Sequence, residues 1–447
     1  MNKTKIICTL GPSSYNKKNL KKMIQSGLNI TRFNFSHADY DKSKEIIKII
    51  KSLNKELKTN VAFLLDTKGP EIRTHDFKGE VIIKKDSLIK ISSKEILGDE
   101  NNFSVTYSNF YEELNIGDII YVDDGFLTLK VIEKTSNKEL ITKSMNTHIV
   151  KSRRGINVPN VNLNMKFISD KDYKDIVFAI QNDYDFIAAS FTRTAQDILD
   201  IRDILAKYQK NDIRIIAKIE NQSGIDNIDE IIEVSDGIMI ARGDLGIEIN
   251  DITVPFYQSM IIKKCLVKGK TVIVATQMLE SMQKNSRPTK AEISDVFNAV
   301  KEGVDATMLS GESASGIYPI ESTSYMNKIN NQSEKSLDYN FLFTIYKPKN
   351  IRENLFLNVI RMALNLPIKA IVVYNFEDAC NISKFRSSVI VFALVKNHKE
   401  ARLLSLNFSI IPVLSENELK EKILLLDQEN SIEKNLILLK ENKIEIK

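Results

Sequence analysis

The chain has 447 residues, 43% of them hydrophobic and 27% charged, the texture of a water-soluble globular protein with room for about two to four domains. Its formal net charge is only +5, and its lysines are scattered in short pairs such as Lys17-Lys18 and Lys21-Lys22, which argues against a nucleic-acid surface while favouring anionic substrates. Cys8, Cys265 and Cys380 have neither metal nor redox spacing, residues 1–14 lack a signal-peptide core, and the longest apolar run, 389–395, falls far short of the ~20 residues that span a bilayer, so a cytoplasmic, membrane-free location is expected.

In chain order, apolar runs that read as buried strands lie at 6–10, 30–35, 61–65, 186–189, 213–219, 237–241, 271–275 and 306–309. Between most of them the apolar residues recur at helical spacing, as with Leu20, Met23, Ile24 and Leu28, or Ile198, Ile201, Ile204 and Leu205 after Thr194. Strand and helix repeated in this way predict an α/β fold, a (β/α)₈ TIM barrel, built from residues 1–70 and 167–332. The long gap after the third run, 71–166, has alternating strands at 81–83, 88–91, 119–122 and 127–130, with Gly79, Gly117-Asp118 and Asp123-Asp124-Gly125 at the turns. It predicts a small β-barrel inserted in the third strand–helix loop, on the face where barrel active sites lie, and therefore a lid. Residues 333–447 read as a third unit, a small open α/β domain with strands at 370–374, 388–395 and 408–414.

Barrel chemistry gathers at the C-terminal ends of the strands. The second run ends in Arg32, Asn34 and Ser36 on one face, with His37 next, and Phe33 and Phe35 on the other. The third ends in Asp66-Thr67-Lys68-Gly69-Pro70, with Glu71 and Arg73 beyond, and the fourth in Ser190-Phe191-Thr192-Arg193. The fifth projects Lys218 and Glu220 together, the sixth ends Arg242-Gly243-Asp244-Leu245-Gly246, and the seventh ends Thr276-Gln277. Singly, each has a structural explanation: a buried ion pair, a helix N-cap at Asp244, a turn cap at Asp66. Together, so many charges on one rim are costly unless ions and ligands neutralise them. Glu220 and Asp244 are hard oxygen ligands suited to Mg²⁺ or Mn²⁺. Asn34, Ser36 and Asp66 with a backbone carbonyl make an oxygen cage for a monovalent cation. The free N–H groups of the turn at Gly243 and Asp244 can receive a carboxylate or phosphate, and Arg32, Arg73 and Lys218 offset phosphate charge. Neither a P-loop nor a dinucleotide fingerprint is present.

Several stretches resemble the pyruvate kinase family: KTKIICTLGPSS at 3–14, RFNFSH at 32–37, LDTKGPEIRT at 65–74, DFIAASFTR at 185–193, AKIENQ at 217–222, SDGIMIARGDLG at 235–246, ATQMLESM at 275–282, RPTKAE at 287–292 and MLSGESA at 308–314. The resemblance implies phosphoryl transfer from phosphoenolpyruvate to ADP, giving pyruvate and ATP, the last step of glycolysis. It implies Mg²⁺ or Mn²⁺ on Glu220 and Asp244, and Lys218 stabilising the moving phosphoryl group. Arg32 and the N–H groups of Gly243 and Asp244 would bind phosphoenolpyruvate, with Thr276 beside the carbon that becomes methyl. Asn34, Ser36, Asp66 and Thr67 match a K⁺ site, and Arg73, Arg154 and His37 the nucleotide side. Glu71 implies K⁺ dependence, since relatives that need none tend to carry lysine there. A homotetramer is the family's usual state.

The likeness has limits. Arg154 replaces a usual lysine, residues 162–165 lack the Leu-Pro pair of the second lid hinge, and Phe297 and Ile317 are atypical. The segment Asn375-Phe376-Glu377-Asp378-Ala379-Cys380 stands where relatives carry a Ser/Thr/Gly-rich phosphate loop, and the Gly-rich loop near the C-terminus is missing. No activation by fructose 1,6-bisphosphate is expected there.

Overall fold

The computed structural model describes residues 2–36, 38–161, 163–429, 435–440 and 443–447. Eight parallel strands, Lys5–Thr9, Ile30–Asn34, Ala62–Asp66, Phe186–Ala189, Arg214–Ile219, Gly237–Ala241, Thr271–Ala275 and Ala306–Leu309, close into a barrel. The last pairs with the first, Lys5 opposite Ala306. Each coincides within a residue or two with an apolar run of the sequence, because strands covered on both faces are apolar nearly throughout. Alternate residues face opposite ways. Ile7, Leu64, Phe186, Ile216 and Met239 fill the barrel interior, while Ile6, Cys8, Leu65 and Ile215 meet the outer helices.

The helices begin where their capping chemistry places them. Ser169 and Asp172 form a reciprocal capping box for Asp170–Gln181, and Thr289 and Glu292 do the same for Lys290–Lys301. The helix expected after Thr194 runs Ala195–Lys207, with the Thr194 N–H donating to Asp197 Oδ2 at 3.1 Å.

The insert forms a seven-stranded sheet and a separate two-stranded ribbon around its own apolar core, which includes Ile89, Phe103, Ile120, Val122 and Leu129. The edge strands of the sheet, Ile72–Arg73 and Asn102–Ser104, are joined by an isolated bridge between Thr74 and Val105, so the sheet rolls back on itself. Val81–Ile83 pairs with His148–Val150 in the ribbon rather than in the main sheet.

The C-terminal sheet runs Ile410–Val413, Ile390–Leu394, Ile368–Val373, Asn435–Lys440, Lys443–Ile446; only the last strand is antiparallel to its neighbour. The final two strands exceed what the sequence pattern indicated. This unit caps one end of the barrel: Leu403 and Leu406 join the barrel's interior cluster, and Phe376 packs against it. Polar ties surround the plug. Arg386 pairs with Asp305 at 2.6 Å with both side chains buried, and Arg402 Nε donates to Asp185 Oδ2 at 2.9 Å. No described helix is long and apolar enough to cross a membrane.

Candidate active site

The opposite rim of the barrel carries the charges. The second and third strands pair in register, Arg32 opposite Leu64 and Asn34 opposite Asp66. Along the second strand burial alternates: Phe33 and Phe35 are buried, while Arg32, Asn34 and Ser36 are partly exposed. Arg32 Nε donates to Asp66 Oδ2 at 2.6 Å, and Arg32 also donates to Thr9 Oγ1 at 2.8 Å. Lys218 Nζ, from the fifth strand, lies 3.1 Å from Asp66 Oδ1 and 2.9 Å from Glu220 Oε1.

These groups are almost wholly out of water: the side chains of Asp66 and Glu220 are each 1% exposed, and that of Lys218 7%. Burial opposes the charge on Lys218, but Asp66 and Glu220 outweigh it and hold its pKa above the ordinary lysine value. Burial likewise disfavours the Asp66 carboxylate, and Lys218 and Arg32 reverse that, leaving it below the usual range. Glu220 has the opposite balance. Burial pushes it up to about 7; Lys218 resists, while Asp244 and Asp66 add to the push. Burial also raises Asp244 against the pull of Lys218. The rim therefore carries an excess of carboxylate beside Glu220 and Asp244, and a dication there would offset it.

The sixth and seventh strand ends interlock. Helix Arg242–Glu248 follows Ala241 directly and places Asp244 in its first turn. The Gly243 N–H, expected to be free for an anion, instead donates to Thr276 Oγ1 at 2.7 Å, so the threonine oxygen occupies that donor. Thr276 and Gln277 both have left-handed backbones, φ +66° and +54°. Their carbonyls accept from the buried Arg242 guanidinium at 2.9 and 3.2 Å, and Asp295 fixes Arg242 from the far side at 2.7 Å. This clamp offsets a backbone conformation that costs on the order of 1 kcal/mol per residue.

The expected monovalent-cation set gathers at the ends of the second and third strands. Asn34 Oδ1 accepts the Ser36 N–H at 3.2 Å, and Asp66 lies beside Asn34 in the register. Thr67 Oγ1 accepts the Ser190 N–H at 3.1 Å, and its carbonyl accepts Ser190 Oγ at 2.7 Å. Asp66 is at the same time the shared partner of Arg32 and Lys218.

A cleft of about 850 Å³ opens between the barrel rim and the insert, lined by Glu71, Arg73, Asp123, Asp124, Arg154, Arg193 and Asp244 among others. Arg73 is held by Glu71 through two bonds of 2.9 Å, and Arg154 Nη1 lies 3.6 Å from Asp123 Oδ1. Both expected nucleotide-side arginines thus share a wall with Asp244. The third, His37, lies outside the described residues. Arg193 spans rim and insert, donating to the carbonyls of Leu163 at 3.2 Å and Met165 at 2.9 Å.

Three contributors went unassigned at the level of sequence: Ser190, Phe191 and Arg242. The Phe191 N–H, on a left-handed backbone with φ +55°, donates to Glu220 Oε2 at 2.7 Å. All three lie within the motif stretches, but their contacts run to backbone groups and to side chains of other strands, which the sequence does not display.

The description of the family model that matches residues 1–323 is pyruvate kinase, barrel domain. A pyruvate kinase of Clostridium perfringens is 45% identical over 420 residues, covering 92% of this chain and 88% of the relative. One of Bacillus licheniformis is 43% identical over 424 residues, covering 93% of this chain and 72% of the relative. The crystal structure of a pyruvate kinase from Cryptosporidium parvum superposes with a TM-score of 0.91 at 34% identity, covering the whole of this chain and 96% of the other. With the barrel, its inserted unit and the charged rim in place, the chain belongs to the pyruvate kinase family.

Proposed function

We propose that this chain transfers the phosphoryl group of phosphoenolpyruvate to ADP, giving pyruvate and ATP as the last step of glycolysis. The observation that carries the reading is the Lys218 ammonium, buried between Asp66 and Glu220 and kept charged, on the same rim as Arg32 and Asp244. Phosphoryl transfer is mostly positioning and charge neutralisation, and this rim supplies cations on rigid strand ends for both.

Glu220 and Asp244 are the residues that would hold Mg²⁺ or Mn²⁺, whose chemistry is to neutralise phosphate charge and the developing enolate oxygen. Their donor set fits: two hard carboxylates, both disfavoured as anions by burial. Among the described residues no group of three or more His, Cys, Asp and Glu converges as a metal site, and two carboxylates suit Mg²⁺, which is commonly held by one or two carboxylates with substrate oxygens and water. Asn34, Ser36, Asp66 and Thr67 would hold K⁺ beside it. Lys218 meets the phosphoryl oxygens in flight, and Arg32 binds the phosphate end of phosphoenolpyruvate. The N–H groups of Gly243 and Asp244 take its carboxylate, the first by displacing the Thr276 hydroxyl. Thr276, once released, stands beside the carbon that is protonated to methyl. Arg73 and Arg154, with His37, face the ADP phosphates across the cleft.

The enzyme would work in the cytoplasm, without nucleic-acid or membrane partners, as a homo-oligomer, tetrameric like its family. The test is a coupled assay for pyruvate with phosphoenolpyruvate, ADP, Mg²⁺ and K⁺. ADP-dependent pyruvate formation supports the reading, and its absence with every component present overturns it.

A further inference from the structure

The end of the fourth barrel strand touches the three charged groups that the third and fifth strands bring together, Asp66, Lys218 and Glu220. Ser190 is buried, 2% exposed. Its Oγ lies 2.8 Å from Asp66 Oδ1 and 2.7 Å from the Thr67 carbonyl, and it accepts a hydrogen bond from Lys218 Nζ at 2.7 Å. Its N–H donates to Thr67 Oγ1, and the next N–H, of Phe191, donates to Glu220 Oε2. Space is shaped to the same end. Gly69, at φ +69°, sits so close that a Cβ there would lie 2.7 Å from the Ser190 carbonyl oxygen, and the turn after the third strand can close on Ser190 only as glycine.

From this arrangement we infer that Ser190 is a positioning residue for phosphoryl transfer, fixing the Lys218 ammonium between Asp66 and Glu220 through its hydroxyl. The ammonium has three protons and three neighbouring oxygens: Asp66 Oδ1, Glu220 Oε1 and Ser190 Oγ. The two carboxylates alone leave it free to swing about the line joining them, and the third oxygen removes that freedom. A charged group held within a fraction of an ångström is what transfer chemistry requires.

The inference rests on the activity proposed above, and a double-mutant cycle on the full chain separates the two. The probes are phosphoenolpyruvate and ADP at saturating Mg²⁺ and K⁺. Ser190→Ala should lower kcat about tenfold, the worth of one hydrogen bond to a charged group. In the Lys218→Ala background the same change should cost less than about twofold, because the group it positions is gone. Ser190→Cys, which keeps a weak acceptor at the same place, should fall between Ser190→Ala and wild type, and it carries the cycle if the alanine variant does not fold. Equal losses in both backgrounds would mark a purely structural residue and overturn the inference, as would an unimpaired Ser190→Ala. Wild-type protein that forms no pyruvate would instead overturn the activity itself, and the positioning role with it.

Discussion

Arg32 and Lys218 are held by opposite oxygens of one carboxylate: Asp66 Oδ2 takes the guanidinium at 2.6 Å, and Oδ1 lies 3.1 Å from the ammonium. Two cations from different strands are thereby fixed at one spacing, which is what binding a multiply charged phosphate requires.

The sharing bears on what happens when one cation is lost. Lys218→Ala leaves Asp66 bonded to Arg32 and Ser190, so the fold should persist. Turnover should fall by roughly 10²-fold or more, the scale of losing one preorganised charge at a transition state. Steady-state kinetics beside a melting curve measure both; retained activity would remove Lys218 from the role given to it.

The oxygen groups at the ends of the second and third strands bear on K⁺. Asn34, Ser36, Asp66 and Thr67 lie together, and the Glu71 carboxylate is 3.4 Å from Lys68 and bonded to Arg73. Replacing K⁺ by a tetraalkylammonium ion at constant ionic strength should lower turnover on the order of tenfold or more. Unchanged turnover would contradict a monovalent-cation site.

The segment after strand Ile368–Val373 bears on regulation. Asn375 caps helix Phe376–Ser383, Asp378 is paired with Arg352, and Phe376 is turned to the barrel, 5.1 Å from the Arg214 guanidinium carbon. Its polar groups serve the fold, and Glu377 adds repulsion toward phosphate. Fructose 1,6-bisphosphate should therefore leave the phosphoenolpyruvate saturation curve in place; a clear leftward shift would show a site that this segment does not explain.

The plug at the other end of the barrel bears on stability. Arg386→Met removes one partner of a buried pair and leaves Asp305, already raised by burial, without its cation. A loss of about 3–5 kcal/mol is expected in urea unfolding. A change below about 1 kcal/mol would show that the pair is dispensable and that Phe376, Leu403 and Leu406 hold the end closed unaided.

Most of the barrel was legible in the sequence, for a physical reason. Strands buried on both faces must be apolar throughout, and the charges Arg32, Asp66, Lys218, Glu220 and Asp244 stand out against them at or near the strand ends. The cations and carboxylates could thus be named from residue type and position alone. What escaped was whatever is carried by backbone, by neutral groups, or by a side chain's grip on backbone carbonyls. The left-handed turns at Phe191 and Thr276, the hydroxyl of Ser190 and the clamp of Arg242 on two carbonyls depend on approach distances that no local pattern encodes. The same holds for pairing. Val81–Ile83 alternates as its neighbours do, yet joins a ribbon, and Asn435–Lys440 is a short apolar run whose partner, Ile368–Val373, lies far back in the chain. The occupied Gly243 N–H is of this kind too, since its acceptor belongs to the seventh strand.

The most direct measurement is the rate of pyruvate release from phosphoenolpyruvate by this chain with Mg²⁺ and K⁺, with and without ADP. Release that requires ADP and is matched by equimolar ATP is the expected result. No release, or release that proceeds equally without ADP, would contradict transfer between the two substrates at the rim of Lys218, Glu220 and Asp244.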